Sequence, residues 1–122
     1  MADQYHRPVL RPLRQEETAL LRWMLEHGKP EAREYLDQLA RLRVVAECTC
    51  GCPTIDFALD EQTSATPGGS LIIADAEGDS PEGFRVNVIV HVRDNAISEL
   101  EVAAFDHTGS LALPRPSDLT VF

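Results

Sequence analysis

Two kinds of spacing divide this chain. Between residues 13 and 42 apolar side chains recur every three or four positions, and beyond residue 43 they alternate. Leu13, Leu20, Leu21, Met24 and Leu25 place a helix at about 15–27, with Glu16 and Glu17 in its first turn, where carboxylates complement the helix dipole. Gly28 suits the position just past that helix, and Pro30 suits the first turn of a second one. The second helix is predicted to run to about Leu42, with Ala32, Tyr35, Leu36, Leu39 and Leu42 on one stripe. So short a connection implies an antiparallel pair or a sharp corner.

The period then changes to two. Residues 44–50 and 54–59 read as strands meeting at a Gly51-Cys52-Pro53 turn. Residues 62–69 form a polar loop ending in Pro67-Gly68-Gly69, 70–76 a short apolar strand, and 77–83 a second turn-rich loop. The clearest alternation follows: Phe84, Val86, Val88, Val90 and Val92 against Arg85, Asn87, Ile89, His91 and Arg93. Asp94-Asn95 turns the chain, and 97–105 returns with Leu100, Val102 and Ala104 on one face, which predicts a long antiparallel hairpin.

Residues 1–12, with Pro8 and Pro12, are expected to form an extended arm, and 111–122 a proline-containing tail lying across the domain. The expected class is α+β: two N-terminal helices packed on an antiparallel sheet of about five strands. All 122 residues fit one domain, divided into arm 1–12, helical pair 13–42, sheet 43–110 and tail 111–122.

Charge is unevenly distributed. Residues 1–43 carry eight basic and seven acidic side chains, whereas 44–122 carry three basic (Arg85, Arg93, Arg115) and thirteen acidic ones. Nucleic acid is excluded as a partner of the acidic part, because cationic side chains must replace the phosphate counterions. An anionic surface steers a basic protein partner instead, or serves solubility alone. No apolar run reaches the roughly 18–20 residues of a membrane helix, and no apolar leader segment stands near the N-terminus. A cytoplasmic location and no membrane association are the expectation.

All three cysteines, Cys48, Cys50 and Cys52, fall within five residues. An odd, clustered set is unlike a secreted disulfide framework, which staples distant segments. In a strand Cys48 and Cys50 share a face, and Gly51 lets the backbone bring Cys52 toward them. Three convergent thiolates suit zinc or another thiophilic metal, with His91 or His107 as candidate fourth ligands; buried cysteines also serve as small apolar side chains. No cofactor beyond such a metal is expected.

No catalytic residue emerges. Of the four histidines, His91 projects from its strand opposite the valines, His27 suits a helix C-terminus, and His6 and His107 lie in the arm and a turn. No GxSxG, HExxH or phosphate-binding glycine motif occurs. The chain therefore leans away from enzymes. Candidate contact residues are Glu99 and Glu101, on the polar face of the return strand, and Trp23, the single tryptophan, which lies off the main helical stripe.

Arg11-Pro12-Leu13 before an acidic helix start, Cys50-Gly51-Cys52-Pro53, Ser98-Glu99-Leu100-Glu101-Val102 and the late Leu113-Pro114-Arg115-Pro116 form a recognisable set. The chain resembles a family of small uncharacterised bacterial proteins with an RPL helix start, a CGCP turn and a late SxLEV strand. It departs from that pattern at Arg14, where Ser or Thr is the favoured cap, and across 61–83. The resemblance implies one intact domain and no particular activity. Two functions stay open: a non-enzymatic protein-binding or accessory domain with an acidic contact face, and a metal- or thiol-binding protein using Cys48, Cys50 and Cys52.

Overall fold

The valine alternation forms the centre of the sheet. In the computed structural model, which describes residues 6–59, 71–105 and 109–121, Val86, Val88 and Val90 are fully buried, while Asn87, Ile89 and His91 point the other way. This strand, Arg85–Arg93, pairs with Ala96–Ala104 through a two-residue turn. Asp94 and Asn95 both take positive φ, 52° and 63°, the turn whose twist matches that of paired strands. Ser98 bulges out of the return strand between the Glu99 and Ile97 pairings, so that Ile97 and Leu100, three residues apart, are both fully buried.

In chain order the strands are β1 (His6–Arg11), β2 (Leu42–Cys48), β3 (Ile55–Leu59), β4 (Leu71–Asp79), β5 (Arg85–Arg93), β6 (Ala96–Ala104) and β7 (Leu119–Val121). They form one sheet in the order β1-β2-β3-β6-β5-β4-β7, with every pairing antiparallel. The α+β class is therefore as expected, but the sheet dominates and has seven strands rather than about five.

The two additional strands come from the arm and the tail. Prolines hide β1 from a periodicity argument, yet Pro8 pairs opposite Ala46 on an edge, where a missing N–H is tolerated. At the other edge β7 is three residues long, too short to show alternation. Residues 77–79, expected in a loop, extend β4 instead, and the turn is confined to Ser80–Gly83, where the Ser80 amide donates to the Phe84 carbonyl. The predicted loop at 62–69 lies outside the described residues.

Helix α1 (Gln15–His27) buries Leu20, Leu21, Met24 and Leu25 completely, in the same cluster as the β5 valines. Fully burying a side chain of this size stabilises by roughly 1.5–3 kcal/mol. At the helix end, Gly28 keeps a negative φ of −83°, so space and not backbone handedness selects it. A Cβ there would lie 2.6 Å from the Ile73 carbonyl oxygen and 2.7 Å from the Ala74 Cβ. Ile73 is the bulged residue of β4, and its carbonyl accepts from the Lys29 amide at 2.9 Å.

Residues Pro30–Arg41 are a 3₁₀ helix, not the α-helix expected. Three residues per turn put Gln38 in line with Ala32 and Tyr35. Its amide Nε2 donates to the Asn95 carbonyl at 2.8 Å and its Oε1 accepts from the Ile97 amide at 2.9 Å. A buried side chain thus completes the backbone bonding of the β5–β6 turn. No helix among the described residues is long and apolar enough to cross a membrane.

Candidate functional site

The Cys48–Cys52 loop sits where the two parts of the sheet meet. Strands β3 and β6 are joined by only two register pairs, Ile55 with Leu100 and Asp56 with Glu99. Thr54 extends this seam: its buried hydroxyl accepts from the Val102 amide at 2.9 Å and donates to the Val102 carbonyl at 3.2 Å. The Cys48 amide reaches the Thr54 carbonyl at 3.3 Å and closes the loop.

Strand β2 ends at Cys48, so the pleat expected to align Cys48 with Cys50 does not extend that far. The turn gathers the sulfurs instead. Cys48 Sγ lies 2.8 Å from Cys50 Sγ, Cys50 Sγ lies 3.1 Å from Cys52 Sγ, and all three fall within 4.8 Å of one another. All three thiols are free; Cys50 is exposed, and Cys48 and Cys52 are half-buried. The Cys52 thiol reaches Thr54 Oγ1 at 3.4 Å.

Gly51 makes this turn possible. Its φ is +109°, and a Cβ there would lie 2.5 Å from the backbone of Gly109. The Gly51 carbonyl accepts from the Leu111 amide at 2.9 Å, which fixes the loop against the segment following β6.

The thiols are not equivalent. Burial, and then hydrogen bonding to Cys50, push the Cys48 thiol up to about 12. Burial also pushes Cys50 up, but hydrogen bonding to Cys48 and to the Cys52 amide outweighs it and holds Cys50 below the ordinary cysteine range. Cys50 is thus the more readily ionised of this pair, and a metal ion bound by the loop displaces thiol protons.

The cysteines line a cavity of about 350 Å³ together with Thr54, Glu99 and Glu101. The predicted metal ligands and the predicted acidic contact residues therefore share one recess. His91, weighed as a fourth ligand for the thiols, belongs to a separate group with the two glutamates: its Nε2 lies 2.8 Å from Glu101 Oε1 and 4.0 Å from Glu99 Oε1. His107 lies outside the described residues.

Trp23 stands apart from this recess. It is half-buried, stacks on His27 at 4.8 Å between ring centroids and lines a shallow groove with Pro116. His27 Nδ1 lies 2.9 Å from the Trp23 carbonyl oxygen, consistent with its place at a helix C-terminus.

On the opposite side of Cys48 and Cys52 is an ionic network with no counterpart in the sequence reading. Arg11 donates from Nη1 and Nη2 to the two carboxylate oxygens of Glu17, each at 2.9 Å, and from Nε to Glu47 at 2.9 Å. Arg7 also bonds Glu47, and the Arg14 amide donates to Glu17 at 2.8 Å. Glu17 thus caps α1 from its third position, replacing the missing Ser or Thr at Arg14. With Arg14 these residues line a cavity of about 470 Å³ that also touches Cys48 and Cys52. An arginine six residues before a first-turn glutamate is the only signal the sequence offered.

Comparison of the chain with protein-family models, with curated proteins and with solved structures finds no match. The site must be read from its own geometry.

Proposed function

We propose that this domain binds a thiophilic metal ion through Cys48, Cys50 and Cys52 and holds it in an exchangeable form. The observation that carries this reading is the convergence of three free sulfurs within 4.8 Å on one loop. Metal–sulfur bonds of about 2.3 Å in tetrahedral geometry space the sulfurs about 3.8 Å apart, so the loop opens by only about 1 Å to admit an ion. Soft thiolates select copper(I) or zinc over hard cations. Copper(I) is satisfied by the three sulfurs, whereas zinc takes its fourth position from the recess beside Glu99 and Glu101.

Exchange, and not structural support, is the role that suits this placement. The three ligands come from one surface loop, and the hydrophobic cluster spanning α1 and the sheet includes none of them. A reducing compartment such as the cytoplasm keeps such thiols available.

The test is anaerobic titration of the reduced protein with copper(I) and zinc(II), followed by native mass spectrometry and chelator competition. One tightly held copper(I) equivalent that disappears in the C48S/C50S/C52S variant is expected, together with loss of the thiol-dependent part of zinc binding. Binding no tighter than that variant's by the native chain ends the proposal.

A second reading rests on the outer face of the sheet. The registers put Asp56 beside Glu99, Asp75 and Glu101 on either side of Ile89, and Glu77 beside Asn87, all on the face opposite the valine core. That face suits a basic protein partner, whose association would slow with added salt, since screening acts within about 8–10 Å.

A further inference from the structure

We infer that His91, Glu99 and Glu101 form a second metal site, for a borderline divalent cation such as Zn²⁺, separate from the cysteine loop. The inference does not depend on metal binding by the thiols. It begins with the sheet: His91 on β5 is the register partner of Glu99 on β6, and Glu101, two residues along the same strand, projects to the same face. The Ser98 bulge directly precedes this pair, and the Ser98 hydroxyl donates to the His91 carbonyl at 3.2 Å. The three side chains are therefore carried by a hairpin whose inner face is the fully buried core, a rigid support for donors.

Their donor atoms have the separations a small cation requires. Zinc bonds nitrogen and oxygen at about 2.0–2.2 Å, so adjacent ligand atoms in a tetrahedral shell lie about 3.4 Å apart. His91 Nε2 is 2.8 Å from Glu101 Oε1 and 4.0 Å from Glu99 Oε1, and the three donors all lie within 4.8 Å of one another. Small side-chain rotations bring both spacings to the required value. The His91 side chain is 13% exposed, and those of Glu99 and Glu101 are 31% and 37% exposed. Bulk water is thus partly excluded, and two carboxylates and one imidazole nitrogen supply the donor types that a borderline divalent ion takes.

The donor chemistry sets this site apart from the loop. One imidazole nitrogen and two carboxylates suit borderline and harder divalent ions, whereas three sulfurs suit soft ones. Glu99 and Glu101 also line the recess in which the cysteines lie. Two donor sets of different softness therefore reach one cavity: copper(I) favours the sulfurs, harder divalent ions favour the imidazole and carboxylates, and zinc suits either.

The competing account is a plain cross-strand ion pair between His91 and Glu101, which needs no metal. Titrating the C48S/C50S/C52S chain with Co²⁺, read by its visible bands, and with Zn²⁺, read by calorimetry, separates the two. One equivalent of Co²⁺ bound without a thiolate charge-transfer band is expected, with affinity falling roughly tenfold or more in His91→Gln and in Glu101→Gln. Unchanged affinity in both variants, or no binding of either ion by the triple-serine chain, overturns the site. If the triple-serine chain fails to fold, the ¹⁵N signals of the His91 ring are followed in the native chain. A zinc-induced shift at Nε2 supports the site, and an unmoved ring at saturating zinc overturns it. Failure here leaves thiol-dependent binding by the native chain intact, so the two proposals fail separately.

Discussion

Arg11 grips both carboxylate oxygens of Glu17 at 2.9 Å while its Nε holds Glu47 at the same distance, so one guanidinium ties the edge strand β1 to α1 and to β2. Glu17 is almost fully buried and Arg11 mostly so. Removing one charge from such a pair leaves the other stranded. Glu17→Gln is expected to lower stability by about 2–4 kcal/mol, measured by urea unfolding. A loss under about 0.5 kcal/mol would mean that the network holds nothing together.

The same carboxylates give the fold an acid limit. Burial pushes Glu17 up, but bonding to Arg11 and the Arg14 amide outweighs it, and bonds from Arg7 and Arg11 hold Glu47 down, so both titrate below the ordinary glutamate range. Groups depressed on folding contribute stability that is complete above their unfolded value, about 4.3, and that is lost as pH falls through their folded values. Tm should therefore be flat from about pH 7 to 5 and fall below about pH 4.5. In E17Q/E47Q the acid slope should be visibly shallower.

Gly51→Ala meets two obstacles at once, a φ of +109° and a Cβ 2.5 Å from the Gly109 backbone. The substitution should destabilise the fold by roughly 1–3 kcal/mol and spread the three sulfurs. A parallel loss of copper(I) or zinc affinity is expected in chelator competition.

Thr54 supplies a hydroxyl where the β3–β6 ladder runs out. Thr54→Val keeps the shape but strands both Val102 backbone groups, which should cost about 1–3 kcal/mol and speed hydrogen exchange at the Val102 amide. Thr54→Ser, which keeps the hydroxyl, should retain most of the protection. Equal exchange in the two variants would assign the seam's strength elsewhere.

Because the core is complete without the cysteine loop, chelator-treated protein should still unfold in one cooperative step. Adding copper(I) or zinc at about 100 times its Kd should raise stability by about 2.7 kcal/mol, and C48S/C50S/C52S should show no such thiol-dependent gain for copper(I). Thermal scans with and without metal decide this.

Legibility varied along the chain for physical reasons. The β5–β6 hairpin was legible as a pair because one face is buried and alternation follows, but Phe84, expected on that face, is exposed and lies before β5, and the Ser98 bulge breaks the alternation of β6. In Pro30–Arg41 the apolar positions were right and the helix type was not, since Ala32, Tyr35, Leu36 and Leu39 fit a period near three almost as well as 3.6; the buried Gln38 decides between them. Strands β1 and β7 were invisible because proline and shortness erase the pattern that burial writes. The cysteine cluster was plain in the sequence, whereas its sharing of a recess with Glu99 and Glu101 arises only when β6 is laid beside β3. Glu17 and Glu47, thirty residues apart, meet through Arg11, a convergence no local spacing encodes.

An open sheet has two rims, and each rim is an invitation to a neighbouring molecule's strand. Here one rim carries Pro8, which can donate no hydrogen bond, between the charged Arg7 and Arg11, and at the other, among the described residues, β7 pairs with Ala76–Gly78 of β4. Proline interrupts the row of amides on the first rim, whereas on the second Leu71–Asp75 of β4 extend beyond the residues that β7 pairs. The sulfur-lined recess thus lies in a sheet whose first rim is interrupted by proline against strand addition.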